Sequence, residues 1–103
     1  MRVGYSILRE IHWKENMPES RHYGLKDFEF ERMIKLLERE GYLERVLRAG
    51  DKFSLRPAKL TRKGEVFLEE NKDLEDTYPI DKKELITWIQ VDKLKYSNDA
   101  SEE

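Results

Sequence analysis

The chain contains no cysteine. That excludes a disulfide framework and thiolate metal sites, and it fits a reducing compartment. Histidine is scarce: His12 and His22 are the whole supply, at a separation that matches no compact metal motif. The five glycines are scattered, so no loop is built to cradle phosphates. No stretch approaches the ~20 apolar residues of a membrane helix. The N-terminus, Met1-Arg2-Val3-Gly4-Tyr5, lacks the apolar run of a signal peptide. The expected location is therefore cytoplasmic, with no membrane partner. Carboxylates are plentiful, but no pair sits among apolar residues that would tune one as acid and the other as base. Ser6, Ser20 and Ser54 have no nucleophile context. These absences point away from an enzyme, from a small-molecule substrate and from any metal or cofactor.

What is present suits one domain of 103 residues, 38% of them hydrophobic. A domain of this size keeps a modest stability margin. Charged residues make up 41%, so most exposed positions are ionic. The net charge of −2 hides an uneven distribution. From Glu44 to Gly64 the basic residues Arg45, Arg48, Lys52, Arg56, Lys59, Arg62 and Lys63 face only Glu44 and Asp51, a net +5. From Glu65 onward the balance is −7, and the first 43 residues are neutral. Such asymmetry bears on partners and fields rather than on fold.

Apolar spacing predicts a first helix over Tyr5 to Glu15, with Leu8 and Ile11 on its stripe and Ile7 and Trp13 beside them. It stops before Pro18, because a residue preceding proline is pushed out of the α region. Pro18 to His22 fits one short helical turn, with Gly24 as a left-handed exit. A second full helix follows from Lys26 or Asp27 to Glu40, ended by Gly41, with Phe30, Met33, Ile34 and Leu37 on one face. Asp27 and Glu29 favour its N-terminal dipole. Leu43 to Arg48 reads as a strand, Ala49-Gly50-Asp51-Lys52 as a turn, and Phe53 to Leu55 as a returning strand that Pro57 ends or confines to an edge. Thr61 is placed to cap a helix carrying Val66, Phe67 and Leu68 that fades near Asn71. Lys72 to Pro79 reads as a polar connection. A last helix starts at Asp81, with Glu84 at capping-box spacing and Ile80 and Leu85 as a hydrophobic staple, and runs to about Leu94. Residues 1–95 form the expected domain and 96–103 an acidic, disordered tail.

Helix, short turn, helix, two-stranded hairpin, helix is the order of a winged helix-turn-helix. The expected fold class is α+β, mainly helical, with a two-stranded wing and an additional C-terminal helix. Two isolated strands need a helix beneath them, which such a fold supplies.

Four segments carry a family resemblance: Ile7-Leu8-Arg9-Glu10-Ile11, Leu36-Leu37-Glu38-Arg39-Glu40-Gly41-Tyr42-Leu43, Leu60-Thr61-Arg62-Lys63-Gly64 with Leu68-Glu69-Glu70-Asn71, and Trp88-Ile89. Over roughly residues 5 to 90 the chain resembles the YjcQ family, short bacterial and phage-derived proteins. The resemblance implies a winged-helix-like fold and brings no established activity and no binding residues. Lys26 stands where a hydroxyl N-cap is expected.

In winged helix-turn-helix proteins the second helix of the motif enters the major groove and the wing approaches the backbone or the minor groove. With Phe28 set to zero and about 100° per residue, the core-facing residues of this helix cluster around 190°. Phe28, Arg32, Lys35 and Arg39 then lie within about 40° of zero, on the outer ridge. One reading makes the ridge a set of donors for phosphates and guanine edges, with Arg45, Arg48 and Lys52 adding backbone contacts from the wing. The plain reading is a solvated face with Glu31–Lys35 and Glu29–Arg32 pairs, each a few tenths of a kcal/mol, and with Phe28 folded back onto the short turn. In the last helix, Trp88, Val91 and Leu94 extend the apolar surface round a second side. They either face a partner, most simply in a homodimer, or Trp88 packs on the domain core. The leading expectation is a double-stranded DNA-binding protein, a phage or prophage transcriptional regulator. Its rival is a protein-interaction or dimerisation module on the same fold.

Overall fold

The computed structural model describes residues 2–14 and 17–90. Its first helix, α1 (Arg2–Trp13), buries seven of its 12 residues, and the other elements are arranged around it. Ile7, Leu8 and Ile11 are fully excluded from solvent. The helix begins three residues before its apolar stripe. Arg2 explains the extension: it donates to the Trp88 carbonyl at 3.2 Å and lies 4.7 Å from the centre of the Trp88 ring. Lys14, at φ 57, turns the chain out of the helix, and Glu15 lies outside the described residues.

A 3-10 turn over Ser20–Tyr23 follows, leaving through Gly24 at φ 66. It starts two residues after Pro18, at Ser20, and the N–H of its N-cap Glu19 donates to Nδ1 of His22 at 3.1 Å. The next helix, α2 (Asp27–Arg39), is capped from inside. Glu29 accepts from the Lys26 N–H at 2.8 Å, and Ser20 bonds Asp27 at 2.7 Å. Lysine carries no acceptor, so Lys26 supplies only one half of a capping box. At its far end Tyr42 N–H reaches the Leu37 carbonyl and Gly41 N–H the Glu38 carbonyl, both at 3.0 Å, with Gly41 at φ 84. This is a Schellman ending, open to glycine because no Cβ meets the left-handed backbone.

The hairpin is interrupted. Strands β1 (Leu43–Glu44) and β4 (Lys59–Leu60) pair at its base, and β2 (Leu47–Ala49) and β3 (Lys52–Ser54) at its tip. Leu43 faces Leu60 and Arg48 faces Phe53, so the return strand holds two more residues than the outgoing one. The surplus is taken up in a turn closed by Ala58 N–H on the Leu55 carbonyl at 3.1 Å. Pro57, lacking an N–H, occupies this turn without losing a ladder bond. The expected single strand ending at Leu55 is thus corrected: pairing resumes beyond the proline. Arg45, at φ 65, makes the matching break opposite.

Helix α3 (Arg62–Glu70) starts from Thr61, whose hydroxyl accepts from Gly64 N–H at 3.1 Å. The same hydroxyl donates to the Gly41 carbonyl, and Thr61 N–H bonds the Tyr42 carbonyl at 3.1 Å. A Cβ on Gly64 would stand 2.2 Å from the Tyr42 oxygen. The segment Lys72–Thr77 is a 3-10 turn, Lys82–Glu84 another, and residues 85–90 continue as the last helix, α4. Asp81 caps that start by accepting from Lys83 N–H at 3.0 Å. The staple does not form: Ile80 is fully exposed while Leu85 is buried. A first turn wound at three residues rather than 3.6 rotates the two apart. The expected tail over 96–103 lies outside the described residues. Among those described, no helix is long and apolar enough to cross a membrane. The fold is α+β and mainly helical, in the order anticipated for a winged helix-turn-helix.

The interior also holds a polar network. Ser6 and Glu10 are buried on α1 beside the apolar core. Ser6 Oγ bonds the hydroxyls of Tyr23 at 2.9 Å and Tyr78 at 2.8 Å. Tyr78 and Arg9 both donate to Glu10 at 2.7 Å, and Lys82 approaches its other oxygen at 3.2 Å. Glu75 accepts from Arg9 and, at 2.7 Å, from Tyr5. The Arg9 guanidinium lies 3.9 Å from the ring centres of both Trp13 and Tyr78. Burial, first of all, pushes the Tyr5, Tyr23 and Tyr78 hydroxyls above their ordinary range, so they stay protonated as donors. The network clasps the segment after α3 onto α1.

Two outcomes follow from this packing. Gly64→Ala forces a methyl into the Tyr42 carbonyl. Overpacking of this kind costs about 2–3 kcal/mol, a fall of about 10–20 °C in melting temperature, measurable by circular dichroism. The Glu75 carboxyl sits below its ordinary 4.5: burial opposes ionisation, but the Arg9 and Tyr5 hydrogen bonds outweigh it. A carboxyl depressed in the folded state stabilises above its unfolded value and stops doing so as pH falls through the folded one. Denaturant midpoints should therefore drop below about pH 4.5, and Glu75→Gln should flatten that part of the profile.

Candidate nucleic-acid interface

The apolar stripe of α2 buries Phe30, Ile34 and Leu37, and this sets what the opposite side offers. Phe28, Arg32, Lys35 and Arg39 are all exposed along that outer side, with Phe28 at 57%. The four expected ridge residues therefore share one solvent-facing line. Phe28 does not fold back onto the preceding turn. It lies under Arg32, whose guanidinium is 5.5 Å from its ring centre. This stacking replaces the expected Glu29–Arg32 pair, since Glu29 is engaged with the Lys26 N–H. Glu31 and Lys35 do pair, at 3.7 Å. Among the described residues the Arg39 side chain has no ion-pair partner.

The cations of the wing are divided between internal contacts and solvent. Arg48 is tied to Glu38 of α2 by two hydrogen bonds, one of 3.1 Å and one shorter. That contact also pushes the Arg48 guanidinium above its ordinary range. Arg48, though exposed, thereby fixes the wing against α2, as a two-point arginine–carboxylate fork can. Lys59 stands 3.9 Å from Glu44. Lys63 donates to the Glu40 carbonyl at 2.8 Å, where a cation suits the C-terminal end of α2. Arg45, Lys52, Arg56 and Arg62 are exposed and have no side-chain ion pair among the described residues. About half of the +5 segment is thus spent internally, and the other half faces solvent.

Ridge and wing meet in one place. Phe28 and Lys52 line a shallow cleft of about 470 Å³ between the start of α2 and the hairpin tip, together with Asp27, Glu31 and Asp51. Those carboxylates temper the field at this end, so the outward positive charge is concentrated along Arg32, Lys35 and Arg39. Arg45 lies at the break between β1 and β2, outside that cleft.

The last helix resolves in part. Trp88 is 6% exposed, its ring 5.0 Å from that of Tyr78 and its Nε1–H bonded to Thr77 at 3.0 Å. It packs on the domain core and is corrected as an interface residue, because a ring already covered on its faces offers nothing to a partner. Val91 and Leu94 lie outside the described residues. Among the described residues no three of His, Asp and Glu are grouped as metal ligands, and His22 is engaged by the Glu19 N–H. Nothing local in α1 marks the buried Ser6–Glu10–Tyr78 network, because Ser6 and Glu10 meet Tyr78 only through the fold. No family model, no curated protein and no solved structure matches this chain.

Proposed function

We propose that this chain is a cytoplasmic, YjcQ-like winged-helix protein that binds double-stranded DNA, in the manner of a phage or prophage transcriptional regulator. The observation that carries the reading is the exposed line Phe28, Arg32, Lys35 and Arg39 on the outer side of α2, with the wing held beside it by Arg48 and Glu38. A helix of this diameter fits the major groove. Arg32 and Arg39 can address guanine edges or phosphates, and Lys35 and Lys52 phosphates. The Arg32 guanidinium, already ordered over Phe28, loses less freedom on binding than an unsupported side chain.

A second reading rests on its own observation. Leu47 at 56% and Ile80 at 104% exposure leave apolar side chains uncovered, and a protein partner or second copy would favour them over DNA. The homodimer surface expected at Val91 and Leu94 falls outside the described residues.

Electrophoretic mobility shifts with a random-sequence duplex at 50 mM salt separate the two. Arg32→Ala with Arg39→Ala should weaken binding about tenfold or more, whereas Lys72→Ala, beyond α3, should not. Arg48→Ala should also weaken binding and lower the melting temperature, because it frees the wing. Equal affinity for wild type and the Arg32/Arg39 variant would remove the ridge from the account.

A further inference from the structure

A groove beside the hairpin shares Phe30 and Phe53 with the cleft at the hairpin tip and extends from them to the opposite side of α2 from the basic ridge. It encloses about 970 Å³ between the segment preceding α2 and the return strand of the hairpin, within the roughly 300–1,000 Å³ typical of small-molecule sites. Its floor is apolar and partly aromatic: Met17, Leu55, Phe30 and Phe53, the last two stacked with ring centres 6.1 Å apart. Its rim is cationic, with Lys14, Arg21, Arg56 and Lys82 set against Glu19. These cations come from four separate segments of the chain, so no single helix face accounts for their convergence. Glu19 is already matched by Arg21 at 3.1 Å, and Lys82 by Glu10. Lys14 and Arg56 have no side-chain partner among the described residues. Among the described residues these two unmatched cations leave a positive mouth over a ring-lined floor.

We propose that this groove binds a small aromatic anion, with the ring against the half-buried Phe53 and Met17 and the phosphate or carboxylate held by Arg21 and Arg56. Arginine forks suit a planar or tetrahedral oxyanion, and an aromatic body gains from stacking where a bare anion does not. The positive field is already felt nearby. His22 on the groove wall is pushed below its ordinary value by burial first and then by Lys82, with Arg21 adding and Glu19 and Glu10 opposing. Phe30 sits on the side of α2 opposite the basic ridge. Phe30 and Phe53 also line the cleft at the hairpin tip, but Arg21 and Arg56 do not, so a variant at these two arginines tests this site apart from the DNA reading.

The test is a titration of the full-length, isotope-labelled chain with phenyl phosphate, followed by amide NMR shifts. Inorganic phosphate and benzyl alcohol serve as half-ligands. The expected result is saturable binding near 1 mM or tighter, with shifts gathered at Ser20–His22 and Phe53–Arg56 and each half-ligand at least about tenfold weaker. Arg21→Ala with Arg56→Ala, both exposed and checked for an unchanged circular dichroism melt, should weaken phenyl phosphate at least about tenfold. Any of three results overturns the proposal: shifts scattered over the surface, inorganic phosphate binding as well as phenyl phosphate, or a double variant that binds like wild type.

Discussion

The structure depends on one close approach, that of Gly64 to the carbonyl of Tyr42. Because no side chain intervenes, the first turn of α3 sits directly on the exit of α2, with Thr61 bonding both Gly41 and Tyr42. Three elements are fixed relative to one another at that point: the end of α2, the base of the hairpin and the start of α3. The Leu43–Leu60 pair continues the same contact into the sheet. A hairpin of so few residues has little stability of its own, so its position beside α2 is inherited from this junction and sharpened by Arg48 on Glu38. Ridge and wing can act as one surface because they are braced at both ends.

The second constraint is polar. Burying Ser6 and Glu10 on the central helix is unfavourable unless every oxygen is satisfied. Tyr23, Tyr78, Arg9 and Lys82 satisfy them. A network of this kind contributes less net stability than an apolar core of equal volume, but it tolerates few alternative arrangements. It selects one docking of the segment after α3, and with it the seat of Trp88.

Much of this was legible where the signal was local. The Schellman exit at Gly41, the Thr61 cap and the stripe of α2 each depend on residues within about one turn, and spacing alone locates them. The outer ridge followed from the stripe by geometry. The buried network was not legible, because Ser6 and Glu10 meet Tyr78 across 72 and 68 positions of chain, and on a single helix such residues resemble a solvated face. Pro57 read as the end of a strand because a proline inside a ladder loses a bond, and only the two surplus residues opposite Arg45 show how that loss is avoided. The Arg48–Glu38 fork joins residues ten apart through a turn, so charge counting credited the wing with a cation that α2 had already taken. Ile80 was misplaced for the same kind of reason, since the staple presumes an α-helical first turn.

The central claim is that the outward-facing cations of α2 and the wing form a phosphate-contacting surface, and salt dependence tests it most directly. Fluorescence anisotropy of a labelled random-sequence duplex should be read at 50 and 200 mM salt. Four contacts, from Arg32, Lys35, Arg39 and Lys52, predict a slope of about −3.6 and roughly a hundred-fold loss of affinity over that range. Absence of binding at 50 mM, or binding indifferent to salt, would contradict the account.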